Sequence, residues 1–371
     1  MIPAPAVIEG PDFDAQLQEL PNSDAVFVVW AGDASTYLAK TSMLRRRLLR
    51  ILRPGEPSRG SLNLRSVATR VEYWLTGSRF ESGLVHYSLA RQHYRDSYLK
   101  LIKLRMPPYV RLILSNAFPR TQVTARLSGG SALQYGPFRS RLAAEQFETQ
   151  LLDLFQIRRC QEDLAPAPNH PGCIYGEMNM CLRPCQQVVS VEEYRGEVNR
   201  VAEFLTYNGR LIIQTIGAAR DRLSEEMNFE EAARQHKRLD RVTQLLALRE
   251  DLACDIERLF GVAITASATP DAVKLWFVCR GCWQEAYDFP LTSHVSLDQR
   301  LRELMRDLTA AVPSRQERQE HLALLTRWNY SSWRDGEWIQ FESPDQAPYR
   351  RIVRAISRVH GGAQASLPLQ N

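Results

Sequence analysis

Hydrophobic and polar positions divide the chain into five regions. In residues 24–105 the pattern predicts the strands "AVFVVWAG" and "STYLAK", a basic amphipathic helix "TSMLRRRLLRIL", a third strand "VATRVEYWLTG" and a helix from about Phe80 to Arg95. The segment "PGEPSRGS" is expected to end the basic helix, because proline and glycine interrupt helical structure. This region is therefore predicted to be a small mixed α/β domain.

The next two regions differ sharply in composition. Residues 106–159 contain the alternating segments "YVRLILS" and "TQVTARL", predicted as strands, then "YGPF" and a predicted helix "SRLAAEQFETQLLDLF". Residues 160–189 are rich in Pro, Asn and Gly, with few aliphatic residues. A small region of this kind usually depends on a metal or a cluster for its fold.

Helical periodicity returns in residues 190–252. Ser190 and Glu193 form a predicted capping box, and Asn228 with Glu231 is predicted to begin the second helix of a helical pair. Residues 253–371 are predicted to hold a three-stranded meander from "GVAIT" to "YDFPL", a helix "SLDQRLRELMRDLTAAV" and a Trp-rich tail. The fold class predicted is α+β with several domains.

Composition places the chain among soluble, cytoplasmic proteins. At 371 residues and 44% hydrophobic content it can bury two or three cores. It has no apolar run near the roughly 18 residues that a membrane span needs, and its N-terminus lacks the pattern of a signal peptide. We therefore expect no membrane partner. Seven cysteines in a reducing compartment do not suggest disulfides and favour a metal or cluster site.

Charge is unevenly distributed along the chain. The formal net charge is +5, yet residues 40–141 contain 20 Lys and Arg against four acidic residues, a local net charge of +16. Such a segment attracts polyanions, of which nucleic acid is the commonest in the cytosol, and its interspersed tyrosines suit stacking on bases. The alternative is a solvated basic surface over core aromatics.

Four of the cysteines follow the spacing C-x12-C-x7-C-x3-C, at Cys160, Cys173, Cys181 and Cys185. Four soft thiolates suit zinc or an iron–sulfur cluster, and spacing alone does not separate these two from each other or from four unliganded thiols. For Cys279 and Cys282 in "VCRGC", a packed hairpin turn is favoured over a ligand or redox pair. Cys254 is interpreted as a helix-end residue.

Taken in order, "YLAKTSMLRRRL", "YGPFRS", "FQIRRC" with "CIYGEMNMCLRPC", "VSVEEY" and "MNFEEAARQHKRL" resemble UvrC, the nuclease subunit of bacterial nucleotide excision repair. The resemblance covers about residues 25–290. It implies a GIY-YIG-like first domain, a [4Fe–4S] cluster on the four cysteines and a UVR-type helical hairpin that meets UvrB. The partner-binding residues would be Phe229, Glu230, Ala232 and Ala233.

The resemblance also implies catalytic positions in the first domain. The second motif tyrosine falls on Tyr37, the lysine on Lys40 and the arginine on Arg47, whereas the glutamate that holds Mg²⁺ or Mn²⁺ falls on His86. Imidazole is a poor Mg²⁺ ligand, so we expect a non-cutting domain unless Glu81 or Glu72 takes the metal position. The neighbouring basic residues are expected to bind DNA, namely Arg45, Arg46, Arg50 and Arg53.

The C-terminal region departs from the family. It has no G-x-G of a helix-hairpin-helix motif and few acidic residues at strand ends, so we expect neither an RNase H-like nuclease site nor that hairpin motif. Trp328, Trp333 and Trp338 are predicted to lie in the core rather than to stack on bases.

Three functions follow from these observations. The preferred one is a truncated UvrC-like protein that binds DNA and UvrB without cutting. The second is a single-incision endonuclease of the Cho type, and the third is an iron–sulfur redox or regulatory protein.

Overall fold

The computed structural model describes residues 3–10, 12–54, 62–130, 132–292, 295–306 and 314–365. Within these ranges the chain forms three antiparallel sheets of four strands each, together with twelve α-helices. The predicted α+β class is confirmed. Most of the "PGEPSRGS" segment, residues 55–61, lies outside the described residues.

The first sheet has the strand order β1-β4-β2-β3. Its strands are β1 (Ala6–Glu9), β2 (Ala25–Ala31), β3 (Ala34–Thr41) and β4 (Arg70–Leu75). One face packs on α1 (Phe13–Glu19) and α2 (Leu44–Ile51), and the other on α3 (Arg79–His93) and α4 (Tyr98–Leu101). The strands β2, β3 and β4 and the helices α2 and α3 match the predicted elements, whereas β1 and α1 were not predicted.

The second sheet has the order β6-β5-β7-β8. Its strands are β5 (Tyr109–Ile113), β6 (Arg120–Thr124), β7 (Ala132–Gly136) and β8 (Cys254–Asp255), and α5 (Arg141–Leu154) packs on it. The prediction that Cys254 ends a helix is wrong. Cys254 pairs with Gly136 across the sheet, and its thiol accepts a hydrogen bond from Gln340 Nε2 at 3.3 Å.

The cysteine region contains only short helical turns, α6 (Ile174–Glu177) and a 3₁₀ turn at Pro184–Gln186. The helices that follow are α7 (Val191–Thr206), α8 (Arg210–Glu225) and α9 (Phe229–Ala247). Both predicted caps are confirmed. Ser190 and Glu193 exchange the two hydrogen bonds of a capping box, and the Asn228 side chain accepts from the Glu231 amide at 3.4 Å.

The third sheet has the order β11-β10-β9-β12. Its strands are β9 (Phe260–Ala266), β10 (Ala272–Cys279), β11 (Cys282–Pro290) and β12 (Glu337–Phe341). The meander was predicted, and the addition of β12 was not. Cys279 and Cys282 are buried and directly opposed across a turn in which Arg280 and Gly281 have positive φ, which confirms the packed-turn interpretation.

The C-terminal helices are α10 (Leu297–Arg306), α11 (Arg315–Asn329) and α12 (Tyr349–Ala365). The end of the predicted helix before α11 falls on residues outside the described ranges. Trp328 and Trp338 are buried in one cluster with Phe80 of α3, as predicted, whereas Trp333 is only partly buried. None of the described helices is long and apolar enough to cross a membrane.

Candidate nucleic-acid interface and cysteine region

Tyr37 and Arg47 are brought together by the β2–β3 hairpin and the helix that follows it. Arg47 Nη2 donates a hydrogen bond to the Tyr37 hydroxyl at 2.8 Å, and the Tyr37 ring packs 6.0 Å from that of Phe27. Tyr37 and Ala39 belong to the core beneath α2. These two predicted catalytic residues are therefore in direct contact on the α2 face of the sheet.

Lys40 and His86 lie on the opposite face. Successive residues of a strand point to opposite sides, and Leu38 packs with the α3 core while Lys40 lines a cavity that contains His86. Neither Tyr37 nor Arg47 is among the residues that line this cavity. The sheet thus separates the predicted catalytic set into two pairs.

The cavity around Lys40 and His86 has a volume of about 230 Å³ and is strongly basic. Its polar lining consists of four cations and one imidazole, from Lys40, Arg79, His86, Lys103 and Arg327. Trp333 also lines it, with the Lys40 ammonium 5.9 Å from the centre of the indole ring. A neighbouring cavity of about 340 Å³ shares Lys40, Arg79 and Trp333 and includes Asp24.

Electrostatics in the cavity disfavour any further positive charge. Burial, followed by the charges of Lys40 and Arg327, lowers the pKa of His86 to about 4, so that this imidazole is neutral at pH 7. Lys40 reaches solvent, yet desolvation of its ammonium, with Arg327 and Arg79 nearby, also lowers its pKa. Among the described residues, none of the four cations forms an ion pair with a carboxylate. The cavity is therefore suited to an anion.

The two carboxylates considered as alternative metal ligands are engaged elsewhere. Glu81 is only 3% exposed, accepts the Gly77 amide at 2.8 Å and pairs with Lys274 Nζ at 2.5 Å. Glu72 pairs with Arg70 at 3.2 Å. As far as the described chain shows, no Asp or Glu lines the cavity that holds His86.

Helix α11 closes this side of the first domain. Glu320 of α11 is 0% exposed and accepts hydrogen bonds from the Tyr87 and Tyr98 hydroxyls at 2.6 and 2.5 Å. Arg327 donates to the Ile102 carbonyl at 2.9 Å, which fixes its guanidinium at the cavity rim. The sequence analysis missed four residues of this site, Arg79, Lys103, Arg327 and Trp333. Arg327 and Trp333 could not be found because only the packing of α11 on α3 brings them here.

The predicted DNA-binding arginines lie on α2 and just after it, on the outer surface of this domain. Arg45, Arg46, Arg50 and Arg53 are exposed. The side chains of Arg45 and Arg46 make weak contacts, to the Gln18 carbonyl at 3.4 Å and the Met43 sulfur at 3.8 Å. The helix therefore presents a basic face to solvent.

The four cysteines of the loop-rich region are free thiols of different exposure. Cys173 is exposed, Cys160 is intermediate, and Cys181 and Cys185 are buried. Burial raises the pKa of Cys181 to about 11, with smaller contributions from the other three thiols.

Two N–H groups point at sulfur atoms, Arg183 N at 3.4 Å from Cys181 Sγ and Arg158 Nη1 at 3.6 Å from Cys160 Sγ. Both are donors that a metal-bound sulfur would accept. However, the described residues contain no group of three or more His, Cys, Asp or Glu side chains arranged to hold a metal ion. The cluster stays a prediction.

The predicted partner-binding residues surround the start of α9. Phe229 is 65% exposed, and Glu230 and Ala233 are also exposed, next to Met227 in the turn between α8 and α9. Ala232, in contrast, is buried on α9. Its side chain is therefore not accessible to a partner, unlike those of the other three.

Residues 108–204 match the sequence model of the UvrC/Cho excinuclease middle domain. Proteins named UvrABC system protein C are similar to the chain over a longer range. The one from Lachnospira eligens is 24% identical over 73% of this chain and 45% of its own length.

Two further proteins of that name extend the similarity. The one from Acetivibrio thermocellus is 22% identical over 94% of this chain, and that from Methanothermobacter thermautotrophicus is 24% identical over 91%, each over 57% of its own length. The chain thus spans about half the length of the curated relatives that it matches. No solved structure matches. The resemblance to UvrC inferred from the sequence is confirmed.

Proposed function

We propose that this chain is a UvrC-like protein of nucleotide excision repair that binds DNA and a UvrB-type partner and does not cut DNA. The observation that carries the proposal is the cavity around Lys40 and His86. Where a metal-dependent nuclease needs a carboxylate, this cavity presents a neutral imidazole among four cations.

The physical argument concerns Mg²⁺ and Mn²⁺. Mg²⁺ prefers oxygen ligands and is usually held by one or two carboxylates, and it catalyses phosphoryl chemistry as a Lewis acid. Positive side chains repel the ion and attract the phosphate instead. The same groups that prevent metal binding therefore favour contact with the DNA backbone.

DNA contact is tested by changing the α2 surface. Replacing Arg45, Arg46 and Arg50 by glutamine should weaken duplex binding and reduce the slope of log K against log salt by about 2 to 3. The matched control replaces three arginines that already pair with a carboxylate four residues away, Arg141, Arg222 and Arg302. Equal loss of affinity in the two triple variants would contradict specific contact through α2.

Docking on UvrB is proposed for the α8–α9 turn. Phe229→Asp should reduce UvrB binding by tenfold or more, because an exposed aromatic anchor is lost from the centre of the surface. Leu142→Asp is the matched control, since Leu142 is 63% exposed on α5. If both variants bind UvrB as the unchanged protein does, the turn is not the docking surface.

We further propose that Cys160, Cys173, Cys181 and Cys185 hold a [4Fe–4S] cluster, with zinc as the alternative. The bound group would tie the loop between α5 and α7 together, where few aliphatic side chains are available. Anaerobic purification followed by iron, sulfide and zinc analysis tests this. Cys181→Ser should lose the metal, whereas Cys254→Ser, in a buried strand, should keep it.

One observation favours the second function, a single-incision endonuclease. The Arg47–Tyr37 hydrogen bond of 2.8 Å preserves one half of the predicted catalytic set. Metal-dependent nicking that is abolished by Arg47→Ala and retained by Arg45→Ala would identify this activity.

A further inference from the structure

A second cavity with an excess of arginine shares no lining residue with the cavity around Lys40 and His86. It has a volume of about 490 Å³, within the usual range for small-molecule sites. It is formed where the end of α11, strand β12 and the start of α12 meet β8 and the segment that follows α9. Its charged lining is an excess of arginine over carboxylate, with apolar side chains beside it: Arg249, Arg258, Arg334 and Arg351 against Asp251 and Glu342, and Trp338 and Phe341.

Asn329 contributes a buried carboxamide without hydrogen-bond partners to this cavity. Its side chain is 6% exposed and lines the cavity, and neither Nδ2 nor Oδ1 has a hydrogen-bond partner within the described protein. Leaving one buried polar atom unpaired costs about 1 to 3 kcal/mol. A donor and an acceptor held side by side without partners therefore indicate that a bound group supplies both.

The charged residues of the cavity indicate that a ligand bound by Asn329 also carries a negative group. Arg258 pairs with Glu342 at 3.0 Å, whereas Arg249, Arg334 and Arg351 form no direct ion pair with a carboxylate in the described ranges. Asp251, which also lines the cavity, and Glu337 are close enough to act on the charge of Arg334. Arg334 is held over the Trp328 ring at 5.2 Å, which fixes its orientation. Guanidinium groups match phosphate geometry and bind it through paired hydrogen bonds.

We propose that this cavity binds a nucleotide, with the phosphate on Arg249, Arg334 and Arg351 and the edge of the base on Asn329. A carboxamide pairs with the adjacent donor and acceptor of adenine, so an adenine nucleotide is the preferred ligand. The ligand could be a free nucleotide or a nucleotide unit turned out of a DNA strand. Only the strand form rests on the proposed function, because it requires DNA binding.

The test for a free nucleotide is calorimetric titration of the full chain with dAMP, dGMP, dCMP, dTMP and inorganic phosphate. We expect dAMP to bind most tightly. Arg351→Gln should weaken its affinity about tenfold. Arg350→Gln, which changes the adjacent exposed residue outside the cavity, should leave the affinity within about twofold.

The test for a strand uses duplex DNA in which a 2-aminopurine stands next to a target adenine, so that its fluorescence rises when that adenine leaves the stack. The unchanged protein and Arg350→Gln should raise the signal, and Arg351→Gln should not, while overall duplex affinity is measured in the same samples. If the unchanged protein does not bind the duplex, the proposed function is contradicted. The calorimetric result with dAMP does not depend on that outcome.

Three results would overturn the nucleotide site. The first is binding of neither dAMP nor the unstacked base, and the second is equal weakening in Arg350→Gln and Arg351→Gln. The third is inorganic phosphate binding as tightly as dAMP. Asn329→Asp removes the amide donor and should reverse the preference for dAMP; if that variant does not fold, the two arginine variants decide the question.

Discussion

The ion pair between Glu81 and Lys274 offers a direct test of whether Glu81 is structural or a metal ligand. The Lys274 ammonium lies 2.5 Å from Glu81 and 3.5 Å from Asp288, and the Glu81 carboxylate also accepts the Gly77 amide. The side chains of Lys274 and Glu81 are only 13% and 4% exposed. The pair therefore joins α3 to the third sheet in a largely dry environment.

Lys274→Met removes the charge and keeps the aliphatic stem near Trp276. Because the Glu81 carboxylate stays buried without its cation, the free energy of unfolding should fall by about 3 kcal/mol. Arg302→Gln breaks an exposed pair with Asp298 and should leave the free energy of unfolding nearly unchanged. Urea unfolding followed by tryptophan fluorescence measures both variants.

Two results would refute this reasoning. One is a loss in Lys274→Met no larger than that in Arg302→Gln. The other is stabilisation of the unchanged protein by millimolar Mg²⁺ that disappears in Glu81→Gln. A structural carboxylate that is paired with lysine should not bind the ion.

Two further predictions concern the contact of α11 with the first domain. Glu320→Ala should lower the free energy of unfolding by about 2 to 4 kcal/mol, because the hydroxyls of Tyr87 and Tyr98 lose their buried acceptor. The control Glu317→Ala should lower it by about 1 kcal/mol or less in the same urea assay. Similar losses in the two variants would contradict the buried contact. Burial lowers the pKa of His321 from 6.5 to about 4, so below pH 6.5 the unfolded chain binds a proton at this residue that the folded chain does not. His321 should therefore lower stability by up to about 3 kcal/mol between pH 6.5 and 4. His321→Gln should remove this share of the pH dependence and leave the share due to His86, whose pKa is also lowered to about 4; an unchanged slope would exclude His321 as a source.

Local sequence patterns were sufficient for the elements whose signals lie within one segment. The capping box of Ser190 and Glu193 and the meander of β9, β10 and β11 could be predicted because caps, alternation and turns involve neighbouring residues. The strands β1, β8 and β12 could not. Each is short and is held by a partner distant in sequence, so its pairing leaves little local pattern.

The candidate site shows the same division. The substitution of His86 for a carboxylate could be inferred from the sequence, and so could the basic face of α2. Arg327 and Trp333 could not, because they reach Lys40 only through the packing of α11 on α3. The separation of Tyr37 from Lys40 follows from the alternation of a strand and could have been predicted once β3 was assigned.

The central claim is that this chain binds DNA without cutting it. The most direct measurement combines binding and incision on one lesion-bearing duplex with UvrA, UvrB and Mg²⁺ or Mn²⁺, using anaerobically purified protein. We predict a retained complex and no incision above the level given by UvrA and UvrB alone. A discrete metal-dependent cut that disappears in Arg47→Ala would contradict the account and identify a single-incision nuclease.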